Sequence, residues 1–122
     1  MKTIAVVLLL ALTARAVDSV RLPFESQRSL LLVSVTVNGQ PKTLIFDTGA
    51  ERTMIHERNA SVERQRTSVT LDGKTFIVPV IFADLADMQI AKAKADGVLG
   101  QDIIRRFTVI TIDYTAKTVT LQ

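Results

Sequence analysis

The stretch Leu44-Ile45-Phe46-Asp47-Thr48-Gly49-Ala50 decides how this chain reads. Three apolar residues run straight into an acid, a hydroxyl and a glycine. An isolated charge moved into apolar surroundings costs several kcal/mol. A buried strand that ends in a carboxylate therefore ends at a structural turn or at a reactive site. Asp, Thr and Gly are all common in strand-ending turns. Ordinary residue usage yields Asp-Thr-Gly in a chain of this size roughly one time in fifty. Alone, the tripeptide is a weak signal.

A second stretch, Asp96-Gly97-Val98-Leu99-Gly100-Gln101-Asp102, changes the reading. It continues into Ile103-Ile104-Arg105-Arg106-Phe107, and later comes Ile112-Asp113-Tyr114. In that order these motifs resemble the retropepsin-like aspartic proteases, the single-lobe type of retroviruses and their bacterial relatives. Ile45 to Ala50 matches the family's hydrophobic-hydrophobic-Asp-Thr/Ser-Gly-Ala motif, and Val98-Leu99-Gly100 its later hydrophobic-hydrophobic-Gly. The resemblance spans about residues 20–122. It implies a mostly-β, small closed barrel-like retropepsin (acid protease) fold with one short C-terminal helix.

The resemblance also assigns roles. Asp47 is the catalytic acid/base, and Thr48 hydrogen-bonds across a dimer axis. Gly49 permits close backbone approach, which any Cβ hinders, and Ala50 lines the pocket beside the cleaved bond. Val98, Leu99 and Gly100 pack against the loop and shape apolar subsites, although plain core is an equal reading for Val98 and Leu99. Two departures stand out. Retroviral members follow the later glycine with an Arg paired to an acid just after the alanine, whereas here Gln101 stands opposite Glu51. The span between Ala50 and Asp96 is also short for a bacterial relative. Asp72-Gly73 is the flap candidate, and its two strands serve equally as core.

The rest of the chain agrees with a β domain. Residues 20–24 read as a short edge strand, with Pro23 tolerated only at an edge or bulge. Residues 25–29 read as a polar turn. Residues 30–37 alternate in their second half with the period of a half-buried strand. Asn38-Gly39 is a strong hairpin signal, returning the chain along residues 42–46 to Asp47. Residues 53–55 read as a short strand. Residues 67–71 and 75–82 form a second hairpin through Asp72-Gly73, with Pro79 marking a local edge or bulge. Residues 83–95 allow a helical turn, 100–107 a short helix, and 108–114 and 118–121 a last strand pair. Many short strands with turn punctuation favour a mostly-β barrel-like domain.

The chain starts with a distinct unit. Lys2, an apolar run over residues 4–12 and Ala14-Arg15-Ala16 form a signal-peptide pattern, cut after Ala16. The run is too short to span a bilayer as a helix. The expected division is therefore a leader at residues 1–16 and a protease-like domain at 17–122, exported to a periplasm or secreted. Without Lys2 and Arg15 the fifteen basic residues become thirteen against twelve acidic, a net +1. That near-neutral balance argues against nucleic acid as a partner. No phosphate-cradling glycine loop or zinc-ligand spacing appears, so no metal or cofactor is expected. There is no cysteine and one histidine, His56, in a polar stretch that reads as solvated.

Hydrolysis by carboxylates needs two of them close together, sharing one proton. This chain carries one Asp-Thr-Gly. The second carboxylate must come from another copy, so the expected enzyme is a twofold homodimer acting on peptide or protein substrate. The alternative is a catalytically idle β-domain that binds peptides or assembles through an open sheet edge. An unrelated exported domain would require both ordered motifs to be accidental.

Overall fold

The computed structural model describes residues 19–88 and 93–122. The leader expected at residues 1–16 lies outside the described residues, as does part of the 83–95 stretch. The elements are β1 (Val20–Gln27), β2 (Leu30–Val37), β3 (Gln40–Phe46), β4 (Met54–His56), β5 (Glu63–Leu71), β6 (Lys74–Ala83), β7 (Gly97–Leu99), α1 (Gln101–Ile104), β8 (Ile110–Asp113) and β9 (Thr118–Leu121). No helix among the described residues is long and apolar enough to cross a membrane.

Two hairpins supply the frame, and both turn where the sequence permits positive φ. Asn38 and Gly39 have φ of 48° and 82°, and Asp72 and Gly73 have 46° and 79°. Left-handed values at both central residues match the right-handed twist of the flanking strands. The first hairpin pairs β2 with β3 from Val37↔Gln40 to Leu32↔Ile45. The second pairs β5 with β6 from Leu71↔Lys74 to Glu63↔Phe82.

These strands close into a barrel in the order β2-β3-β7-β4-β6-β5, with β5 returning to β2. Strand β7 lies between β3, which it meets in parallel, and β4, which it meets antiparallel. Alternate residues fill the barrel: Val33, Val35 and Val37, Leu44 and Phe46, Val69 and Leu71, Val78 and Val80. Ile103 and Ile104 of α1 close one side. Removing a fully buried aliphatic side chain of this size from water stabilises by roughly 1.5–3 kcal/mol. The fold is mostly β, a closed barrel with the short helix α1 among the described elements.

Strand β1 departs from the expectation of a short edge. It runs on through Glu25, Ser26 and Gln27, and turns at Arg28-Ser29, with φ of 52° and 68°. Residues 20–23 pair with β9, whereas residues 24–27 pair with β2. Pro23, which lacks a donor, falls at the changeover. The Phe24 N–H then bonds the Lys117 carbonyl at 2.9 Å. Beyond β1 the sheet continues through β9 to β8, which ends the strand order.

The helix is shorter than residues 100–107. Gly100 is extended and caps it (φ −113°, ψ −172°), and it stops at Ile104. Phe107 instead packs edge-to-face on Phe76, with ring centroids 5.8 Å apart. The Thr108 N–H then reaches the Gln122 carbonyl at 2.6 Å and draws the chain onto β9.

The Asp72-Gly73 hairpin belongs to the barrel wall, with Val69, Leu71, Val78 and Val80 in its strands buried in the core. Its tip is tied to β1, where the Arg21 N–H donates to Asp72 Oδ2 at 3.0 Å. That placement corrects the flap reading of Asp72 and Gly73. A Cβ at Gly73 would meet nothing within 4 Å, so Gly73→Val strains the backbone alone, by about 1–2 kcal/mol. Urea denaturation should show that loss of stability. Unchanged stability with lost activity would restore the flap.

Candidate active site

The site is built at the end of β3. The Asp47 N–H donates to the Leu99 carbonyl at 3.1 Å, which carries the β3–β7 ladder one residue past Phe46. Side chains alternate along a strand. Leu44 and Phe46 enter the barrel, while Ile45 lies on the outer face. By the same alternation Asp47 projects outward with Ile45. The chain then turns, the Ala50 N–H reaching the Asp47 carbonyl at 3.2 Å. The Gly49 N–H donates to Asp47 Oδ1 at 2.8 Å. Asp47, Thr48 and Gly49 are all exposed, and Ala50 is half-buried. Exposure resolves the cost of ending an apolar strand in an acid.

Beneath this loop runs the second motif. The helix-start amides have no partners within their own helix. Here the Gln101 N–H bonds the Ala50 carbonyl at 2.8 Å and the Asp102 N–H bonds that of Glu51 at 3.1 Å. Gln101 Nε2 adds a bond to the Thr48 carbonyl at 2.8 Å. The position where an Arg–acid pair is expected thus carries a neutral side chain that holds the loop backbone itself.

Thr53, fully buried, is the hub of a polar cluster that sequence reading missed. Its Oγ1 donates to Asp102 Oδ1 at 2.6 Å and its N–H to Asp102 Oδ2 at 2.9 Å. The same hydroxyl accepts the Gly100 N–H at 3.1 Å. A Cβ on Gly100 would stand 2.6 Å from the Arg52 carbonyl oxygen, and one on Gly97 would stand 2.1 Å from that of Met54. Both glycines are required by close approach rather than by φ. Asp96 fastens the entry to β7. Its N–H bonds the Thr43 carbonyl at 2.7 Å, and its Oδ2 accepts the Thr43 N–H at 2.8 Å.

Val98 and Leu99 fall on opposite faces. Leu99 is fully buried in the barrel core beside Leu44 and Phe46. Val98 joins a smaller outer cluster with Leu32 and Ile45, against which half-buried Ala50, Met54 and Ile81 pack. Only Val98 shares the face of Asp47. No hairpin lies between β4 and β5, whose link is residues 57–62. His56 departs from the solvated reading: its ring is half-buried and Nδ1 accepts the Leu85 N–H at 2.9 Å.

The retroviral aspartyl protease family model matches residues 26–111, more than half of the chain, and the chain belongs to that family. In structure it is similar to a retropepsin-like aspartic protease from Rickettsia conorii. That likeness has a TM-score of 0.60 at 17% identity, covering 85% of this chain and 90% of that chain. The retroviral protease-like domain of Ddi1 from Leishmania major gives a TM-score of 0.51 at 18% identity, over 76% of this chain and 88% of that one. At these identities the likeness shows the fold. No curated protein matches the sequence.

Thr53→Val keeps the shape but removes the hydroxyl between Gly100 and Asp102. Leaving buried partners unsatisfied should cost about 1–3 kcal/mol in urea denaturation, and Thr53→Ser should recover much of it. Wild-type stability in the Val variant would show that this cluster does not hold the loop.

Proposed function

We propose that the chain is an exported aspartic endopeptidase that works as a homodimer, each copy supplying one Asp47 to a shared pair. The observation that carries this reading is the exposed Asp47 carboxylate on a loop fixed from beneath. Its Oδ1 takes the Gly49 N–H, and among the described residues no bond occupies its other oxygen. Two such carboxylates facing each other hold one proton, because like charges at close range cannot both ionise cheaply.

The chemistry follows from that pair. The ionised carboxylate takes a proton from water as the oxygen attacks the scissile carbonyl carbon. The protonated carboxylate gives its proton to the carbonyl oxygen, producing a tetrahedral diol. The proton taken from water then passes to the amide nitrogen, one diol hydroxyl returns its proton to the carboxylate that had protonated the carbonyl oxygen, the C–N bond breaks, and acid and amine leave with the pair again holding one proton. Thr48 bonds across the dimer axis and Gly49 gives the substrate backbone room. Ala50 and Met54, half-buried against Ile45 and Val98, offer apolar ground for substrate side chains.

Asp47→Asn keeps size and hydrogen bonding but supplies no base. Mixed in excess with wild type, it should abolish activity as heterodimers form, and wild-type specific activity should fall on dilution. A bell-shaped pH profile should belong to the pair. Asp47→Asn should itself fold. If it unfolds, and purified wild type cleaves no peptide at any pH, the carboxylate is a structural cap and the chain is a binding or assembly module.

Export is the second part of the proposal and rests on the leader pattern at residues 1–16. Mass spectrometry of the exported protein should find Val17 at its start. Retention of Met1 on that form would refute cleavage at this place.

A further inference from the structure

The crossover from β6 to β7 brings apolar residues onto the face of Asp47. Leu85 and Ala93 are buried there, packed in one cluster with Leu32, Ile45 and Val98. Ile45 precedes Asp47 by two residues on the same strand face, and Val98 is its partner in the β3–β7 register. Thr43, the next residue back on that face, and Leu32 both line two open clefts of about 280 and 300 Å³. Ala93 lines the larger. The described crossover residues Leu85 and Ala93 thus extend the apolar cluster on the strand face that carries Asp47.

His56 fastens both described ends of that crossover. Its backbone N–H bonds the Asp96 carbonyl at 2.7 Å, and the following Glu57 N–H bonds the Ala83 carbonyl at 2.9 Å. The ring holds Leu85 directly, through the 2.9 Å bond from its N–H to Nδ1. An imidazole nitrogen that accepts a hydrogen bond carries no proton. A proton on Nδ1 and the Leu85 N–H are both donors, so the bond and the protonated ring exclude each other.

A counter-ion for the protonated ring is already placed. Asp84 Oδ1 stands 3.7 Å from Nδ1. The Asn59 N–H first, and the Ala86 N–H next, hold the Asp84 carboxyl below the ordinary aspartate range, with smaller help from His56 and Arg58 against a desolvation that raises it. Asp84 thus stays ionised and faces the ring as a ready counter-ion. Glu57 and Lys42 line a cleft with the ring, and Arg58 acts on Asp84 beside it.

We infer that His56 is a positioning residue for the substrate wall: its neutral ring holds Leu85 in the apolar cluster beside Asp47, and its protonation releases that hold and loosens the selection of apolar substrate side chains. The substrate part rests on the protease reading. The latch itself does not, and can be read without any cleavage.

The test uses the whole exported chain, with the Leu85 amide followed by hydrogen exchange as a protection factor. In wild type, protection should fall about five-fold or more from pH 8 to pH 5, the size of one lost hydrogen bond. His56→Asn offers an acceptor oxygen near the Nδ1 position without titrating, and should keep protection across that range. His56→Leu should lack it throughout. With a peptide carrying large apolar side chains next to the cleaved bond, His56→Leu should raise KM by about three- to ten-fold and leave kcat near wild type. His56→Asn should restore KM and flatten its pH dependence. Protection that follows His56 in a chain that cleaves nothing would uphold the latch and sink the protease reading. Protection indifferent to pH and to His56→Leu, or a loss confined to kcat, would overturn the latch.

Discussion

The passage of β7 between β3 and β4 is the constraint on which the rest of the molecule depends. The backbones approach so closely there that a Cβ on Gly97 would collide with the Met54 carbonyl oxygen. Closing the barrel requires this passage, since β7 is the strand that joins β3 to β4. The same passage places Leu99 where its carbonyl can accept the Asp47 N–H. A single close approach therefore closes the core and fixes the reactive loop. Any residue with a side chain at 97 would force the two apart.

The alternation along β3 divides the chemistry from the packing. Leu44 and Phe46 enter the barrel, so Ile45 and Asp47 are left on the outside. A slip of one residue in register would exchange the two sets, burying the carboxylate and exposing Phe46. Two features resist such a slip. The Asn38-Gly39 turn fixes β3 against β2, and Asp96 bonds both the N–H and the carbonyl of Thr43. The hairpin sets the register from one end, and the aspartate confirms it from the middle.

Much of this was legible because local chemistry and global structure agree. Asn38-Gly39 and Asp72-Gly73 turn as their residues dictate, and β2 occupies residues 30–37 as the alternation suggested. The illegible parts are those where distant partners decide. Glu25-Ser26-Gln27 has no apolar period, and only the ladder to residues 30–32 makes it strand. Arg28-Ser29 takes positive φ at both positions without a glycine, a strain that its ladder outweighs. Glu63 to Arg66 is exposed on the first half of β5 and is strand because β6 pairs with it. Thr53, Gln101 and His56 act through partners far along the chain, and a single sequence gives no sign of such partners. The flap reading failed for a related reason. A turn signal shows where a hairpin bends, but not what its strands bury.

The supporting bonds also bear on how a second copy would be used. Among the described residues no buried side-chain polar atom lacks a partner. Thr53, Asp102 and Gln101 complete their bonds to the loop within one chain. The loop is thus ordered by bonds within the single chain. Binding costs rise with each side chain or loop that must be immobilised, and little of that cost remains at a loop already held from beneath. On the proposed reading, the partner brings a second carboxylate rather than a missing scaffold. The segment between β4 and β5 is short, so cover for a bound peptide cannot come from a hairpin there. On the proposed reading, Leu85 and Ala93 of the crossover wall the face of Asp47, and the histidine that accepts the Leu85 N–H is the point of control that we infer.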